Sequence, residues 1–247
     1  MISLLLLNCF IISANLLSSR PKIIITQQQK ATSSQETDYF PSLVSDEDKE
    51  SIFDQLGYIP TNLVSVSARR GTGFPLALKT YSLNGGASRR KAKALGNMTP
   101  FPTLYWFCCP IVGKAVADME REGFVGILEQ RMMNEPGALN KFIKSHEGYA
   151  SERWLGLSKE HQEYLQKSER MTEMVRYSGI AGTDFKSFAP CEDLDHVAAK
   201  ASIKCLHAHY AHYRSQIENI DGCDYPLNIV GEWTHEILRE RNKDLIL

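Results

Sequence analysis

FPTLYWFCCPIVGKAVADMEREG, residues 101–123, changes character in its middle. The first half is aromatic and apolar, which suits a strand on a half-buried pleated surface. Pro110 follows Cys109, and its fixed φ and missing N–H suit the first position of a helix, so the pattern turns helical there and Gly123 punctuates it. Upstream, residues 63–68 alternate Val and Ser, and PLALKTYSL follows a Gly turn. These read as two more strands. Downstream, GILEQRMMNEPGALNKFIKSHEGYASERWLG is helical, with a turn at 135–137, and Ser158 opens a further helix to about residue 173. A long helix is expected over about 193–217 and an amphipathic one over about 230–241. The fold class is therefore α+β, a small antiparallel three-stranded sheet packed against several helices.

The flanks divide the chain into a leader, 1–45, and one globular domain, 46–247. At the boundary, Ser45 is placed to cap a short helix that ends at Gly57. MISLLLLNCFIISA is too short to span a bilayer and reads as a signal peptide. The following NLLSSRPKIIITQQQKATSSQ is rich in Ser, Thr and Gln, with no acid before Glu36. That composition fits a transit peptide or a linker. Together they predict a bipartite address, leading to a plastid by the secretory route, with simple secretion as the alternative and no transmembrane helix in the mature chain.

A net charge of −1 over 247 residues and a pI near 6.7 give no global attraction to nucleic acid. Arg89, Arg90, Lys91 and Lys93 form a basic loop without interleaved aromatics, so a solvated connection is expected there. Beyond Cys9 the chain holds Cys108, Cys109, Cys191, Cys205 and Cys223, an odd and sparse set that is not a disulfide framework. A reducing compartment follows. Cys108 and Cys109 point to opposite faces of a strand.

Candidate chemistry gathers in SIKCLHAHYAHYRS, residues 202–215. At about 100° per residue, a helix places Cys205, His209 and His212 within roughly 60° of one another, with His207 nearly opposite. Cysteine and histidine ligate zinc, the cofactor this donor set suits, but one helix offers only two or three of four ligands. Cys109, at a helix N-cap where free N–H groups favour a thiolate, is the obvious second donor. Metal ligation and a reactive Cys109 activated by a histidine remain alternatives, beside a buried structural role for all of them. HEGYA, residues 146–150, lacks the second histidine of the zinc-protease motif. ARRGTGFP, residues 68–75, lacks the ending of a phosphate loop and reads as a turn.

FPTLYW…CP, GIAG at 179–182 and KCLH at 204–207 occur in that order and resemble the domain-of-unknown-function family number five hundred and one, found in bacterial and plastid proteins. The resemblance covers about residues 46–233 and implies no established reaction. It carries over to Cys109, Gly179, Gly182, Lys204, Cys205 and His207. Family members typically bear a cysteine where this chain has Gly71, so a metal site would hold Cys109, Cys205 and His207 or His209, enough only for an open site. If the chain is an enzyme, Cys109 is the nucleophile, His207 or His209 the base, and Lys204 the anion stabiliser. An anion would meet Arg70, Gly179, Gly182 and Lys204. The competing expectation is a noncatalytic interaction module in which the Cys/His helix is core.

Overall fold

Every strand of the sheet is laid down before the main run of helices. The computed structural model describes residues 43–85, 98–177, 179–181, 201–219 and 224–245. All of them fall within one compact unit, Phe40–Leu247. Helix α1, Asp46–Leu56, begins at Ser45, whose hydroxyl accepts the Asp48 N–H, and stops at Gly57, whose φ of 76° suits a residue without a side chain.

Strands β1 (Leu63–Arg69), β2 (Pro75–Thr80) and β3 (Tyr105–Phe107) form an antiparallel sheet in the order β1-β2-β3. The central β2 pairs Val66 with Leu78 on one side and Phe107 with Ala77 on the other. β3 is shorter than the sequence pattern suggests. Pro100 and Pro102 have no N–H to donate, so the chain before β3 follows β2 through scattered contacts, such as Phe101 N–H to the Ser82 carbonyl at 2.8 Å.

The sheet is covered on both faces. Ile52 of α1 packs with Leu78, Val44 and Cys108. The main core lies on the other side, where Leu76, Tyr105 and Cys109 meet residues of the later helices such as Val116, Phe142, Tyr210 and Trp233. The adjacent cysteines thus enter different clusters, as alternation along a strand requires.

Five further helices follow from local signals, and a closing pair completes the described residues. Helix α2, Pro110–Arg121, starts after Cys109; Gly123 separates it from α3, Phe124–Asn134; Gly137 precedes α4, Ala138–Leu155. The helix expected from Ser158 to about residue 173 is two helices, α5 (Lys159–Gln166) and α6 (Glu169–Arg176). Ser168 breaks it, because its hydroxyl accepts the Met171 N–H and caps α6. Helix α7 is Leu206–Glu218 and α8 is Ile229–Arg241.

The long helix expected over 193–217 is corrected at its start. Residues 182–200 lie outside the described residues, and residues 201–205 are not helical. Ile203 forms an antiparallel bridge with Ala181, and its N–H donates to Glu129 Oε1 at 2.8 Å. Cys205 has φ −167° and ψ 151°, an extended cap rather than a helical residue. Among the described residues no helix is long and apolar enough to cross a membrane.

Candidate functional site

Residues 204–207 are organised around the first turn of α7. The Cys205 sulfur accepts the Ala208 N–H at 3.4 Å. The next backbone donor, Leu206 N–H, goes to Glu120 Oε1 at 2.7 Å, and the Leu206 side chain is fully buried. His207 meets that same carboxylate through Nδ1 at 3.2 Å and the Gly113 carbonyl through Nε2 at 3.0 Å. Cap, core and clamp therefore account for three of the four residues.

Lys204 is different. Its side chain is exposed and, among the described residues, pairs with no carboxylate. Protein crowding around the ammonium lowers its pKa; the neighbouring Cys205 opposes this and Arg153 reinforces it. An exposed surface and a desolvated ammonium are compatible, because one lysine face can meet solvent while the other lies against the fold.

Beside it runs the GIAG segment. The Lys204 N–H points to the Ile180 carbonyl at 3.4 Å, and the Ala181 N–H donates to His146 Nδ1 at 3.1 Å. A Cβ on Gly179 would stand 2.6 Å from that same imidazole nitrogen, so only glycine allows the approach. Gly182 lies outside the described residues.

Behind this junction three histidines, His146, His209 and His212, are wholly buried. The protons of His209 and His212 can be placed from a single fixed donor. The Gly231 N–H, at the start of α8, donates to Asn228 Oδ1 at 3.0 Å, which identifies that atom as oxygen. The same oxygen accepts from His209 Nδ1 at 2.9 Å, so that nitrogen carries a proton. The other amide atom, Nδ2, then donates to His212 Nδ1 at 3.1 Å. His212 must hold its proton on Nε2, which lies 3.0 Å from the Tyr225 hydroxyl. The Tyr225 hydroxyl donates in turn to Glu152 Oε2 at 3.1 Å. Glu152 Oε1 accepts from Lys79 and Tyr105, each at 2.7 Å.

The chain of bonds is polarising rather than conducting, since an amide at its centre holds orientation without readily relaying a proton. It leaves His209 Nε2 as a buried lone pair without a hydrogen bond. The Ile180 carbonyl stands near this ring and favours its charged form, but does not reach hydrogen-bonding geometry with Nε2.

Aromatic rings enclose the cluster. His212 stacks on Tyr105 at 5.5 Å and meets the edge of Tyr149 at 5.0 Å, while His209 lies over Phe142 at 5.7 Å. Gly148 leaves room on α4 for the Tyr225 ring, which an added Cβ would penetrate. Burial pushes His146 down to about 3, assisted by the His209 and Arg153 charges and opposed by the Tyr177 carbonyl. It likewise pushes His209 down to about 4, against the pull of Asn228. His212 falls well below the ordinary range through burial and its two imidazole neighbours.

The remaining sequence candidates lie on other elements. Cys109 sits at the N-cap of α2 in the main core, with no side-chain capping bond. Its sulfur is a minor contributor to raising Tyr210, behind burial, whereas the groups acting on Cys205 are Ala208, Glu120, Lys204 and His207. Burial raises the Cys205 thiol, the opposite of activation. Arg70 lies in the β1–β2 turn, where its N–H bonds the Phe74 carbonyl at 2.9 Å. The adjoining Arg69 N–H donates to Glu218, the last residue of α7, so Arg70 belongs to the other end of that helix from Lys204. Among the described residues no three His, Cys, Asp or Glu side chains are placed to hold a metal ion.

His209 and His212 do share a buried face, as helical periodicity requires, but Cys205 leaves that face because it precedes the helix. His146, Tyr149, Glu152, Tyr225 and Asn228 were not singled out as site residues from sequence. A signal existed in α4: Ser145, His146, Tyr149 and Arg153 occupy core positions interleaved with Phe142, Ile143 and Ala150. Polar residues at core positions of a helix need internal partners.

This is an α+β domain built around a buried histidine cluster, with Lys204, which pairs with no carboxylate among the described residues, at its margin. Residues 66–236, more than half of the chain, match the model of the family described as "Protein of unknown function (DUF501)", and the chain belongs to that family. No curated protein and no solved structure matches it.

Proposed function

We propose that the chain binds a small anion where residues 179–181 meet Lys204. Lys204 is the observation that carries this reading: its ammonium has no carboxylate partner among the described residues and is already depressed by crowding and by Arg153. An anion there would supply the missing counter-charge. In this reading Cys109, Cys205 and His207 hold α2 and α7 together. The noncatalytic alternative, a module whose Cys/His helix is core, draws support from the burial of Cys109, His209 and His212.

Titration of the full chain with inorganic phosphate separates the two. Saturable binding is expected, weakened at least tenfold in Lys204→Gln with the melting temperature of the free protein nearly unchanged. Equal phosphate affinity in both proteins would place the anion elsewhere, and no binding would leave the module reading.

We also propose that residues 1–45 direct the chain to a plastid through the secretory route. A fluorescent reporter fused to them is expected in that organelle of an alga with secretory plastid import. Retention in the cytosol would refute the proposal.

A further inference from the structure

Asn84 and Gly85 are the one Asn-Gly step in the sequence. The Asn84 N–H donates to the Thr99 carbonyl at 2.8 Å, its carbonyl accepts the Thr61 hydroxyl at 2.7 Å, and its Oδ1 accepts the Thr99 N–H at 2.8 Å. These bonds hold Asn84 at φ 55°, the one positive φ outside glycine among the described residues, in a region that asparagine enters more readily than most side chains. Gly85 is fixed by space, because a Cβ there would run into the Phe101 ring and the Asn62 amide. The fold therefore keeps an electrophile beside a nucleophile. The Thr99 N–H polarises the Asn84 side-chain carbonyl and is placed to stabilise negative charge on Oδ1. The Gly85 nitrogen, next along the main chain, has no side chain to shield it, and its N–H has no hydrogen-bond acceptor among the described residues. Both residues are half-buried, so each still meets solvent.

We propose that Asn84 and Gly85 form a self-modifying site. The Gly85 nitrogen gives its proton to solvent base and bonds to Asn84 Cγ. The Cγ–Nδ2 bond breaks, and the amide nitrogen takes a proton from solvent and leaves as ammonia, which closes a five-membered succinimide. Water then opens the ring at either carbonyl, giving aspartate or isoaspartate. Aspartate keeps the main chain and an acceptor for the Thr99 N–H, and adds a negative charge. Isoaspartate exchanges the roles of two groups: the carbonyl that accepts from Thr61 becomes a free carboxylate, and the one that accepts from Thr99 becomes the main-chain carbonyl. Gly85 is then attached through Cγ and is drawn away from its fitted place against Phe101, whose ring stacks on Trp106 at 5.5 Å. The step is slow and runs one way, so it marks the age of each molecule, and its isoaspartyl product is the substrate of a carboxyl methyltransferase of the repair class. It is independent of Lys204 and of the anion-binding reading.

Incubation of the folded full chain at pH 8.5, followed by peptide mass mapping, tests the site without any variant. The peptide bearing Asn84 is expected to gain about 1 Da at least tenfold faster than any peptide bearing another asparagine, and more slowly at pH 7 than at pH 8.5. Its rate is expected to lie within about threefold of that in a free synthetic peptide of residues 80–88. Part of the product is expected to accept a methyl group from an isoaspartate-specific carboxyl methyltransferase. A folded chain that gains no mass at Asn84 while the free peptide does would show that the fold protects this step, and would overturn the proposal. A gain confined to other asparagines would do the same, and a product that is aspartate alone would overturn the ring closure. Asn84→Gln, which would have to close a six-membered ring, is expected to gain no mass there; an equal gain would move the reaction to another residue. The isoaspartyl fraction, separated by chromatography, is expected to melt at a lower temperature than the unmodified protein. Equal melting temperatures would overturn the displacement of Gly85 from Phe101.

Discussion

Lowering the pH from 7 to 4.5 is expected to unfold this protein. His146, His209 and His212 are held neutral in the fold, the first two at about 3 and about 4 and the third well below its ordinary range, against 6.5 for an unperturbed imidazole. Between those values the unfolded chain takes up protons that the folded chain refuses, so stability is complete above about pH 6.5 and declines as the pH falls. Each refused proton contributes about 1.4 kcal/mol per pH unit, and three together about 4. A domain with roughly 5–15 kcal/mol of stability has little left after two such units. Urea midpoints followed by circular dichroism at pH 7.5, 6.5, 5.5 and 4.5 are expected to fall steeply below 6.5. A flat profile from 7.5 to 5.5 would show that the imidazoles reach solvent or carry charge in the fold.

Asn228→Ala is expected to be the most damaging single substitution in the cluster, with a loss on the order of 4 kcal/mol. The side chain serves His209 Nδ1, His212 Nδ1 and the Gly231 N–H, and its own backbone N–H donates to Gln216 Oε1 at 2.8 Å. Removing it strands two buried donors and one buried acceptor, each costing about 1–3 kcal/mol, and deletes the cap of α8. Asn228→Asp makes the case specific. It keeps the shape, the cap and the acceptor for His209, but sets a carboxylate between two imidazoles and raises the pKa of both. The Asp variant is therefore expected to lose less stability than Ala and to show a shallower acid transition than the wild-type protein. An Asp variant as unstable as Ala at every pH would argue that cavity formation, rather than the proton arrangement, decides the effect.

The start of α2 was legible because its signals are local: a proline at the first position and apolar residues on both sides. The start of α7 was not. Its first N–H is capped by Glu120, 86 residues away in sequence, and Ile203 before it is tied by Glu129, 74 residues away. Periodicity therefore ran the helix back through Cys205. It paired His209 with His212 correctly, since both lie inside α7, and overreached at Cys205. The partner of His146 was invisible for a related reason. Its neighbours in sequence say nothing of Gly179, whose missing side chain is what lets that backbone reach the imidazole. The KCLH motif conveyed that the segment matters but not how labour is divided within it, where Cys205, Leu206 and His207 shape the turn and Lys204 alone has no partner among the described residues.

The hydroxyls of Ser67 and Ser215 lie 2.8 Å apart although 148 positions separate them, joining β1 to α7. During synthesis the hairpin of β1 and β2 can form early, from contacts close in sequence. Its helix-facing side, including Leu76, keeps apolar surface open until α7 has left the ribosome. The nascent chain therefore spends most of its translation as an unfinished sheet, and that interval is when chaperone protection has most to contribute.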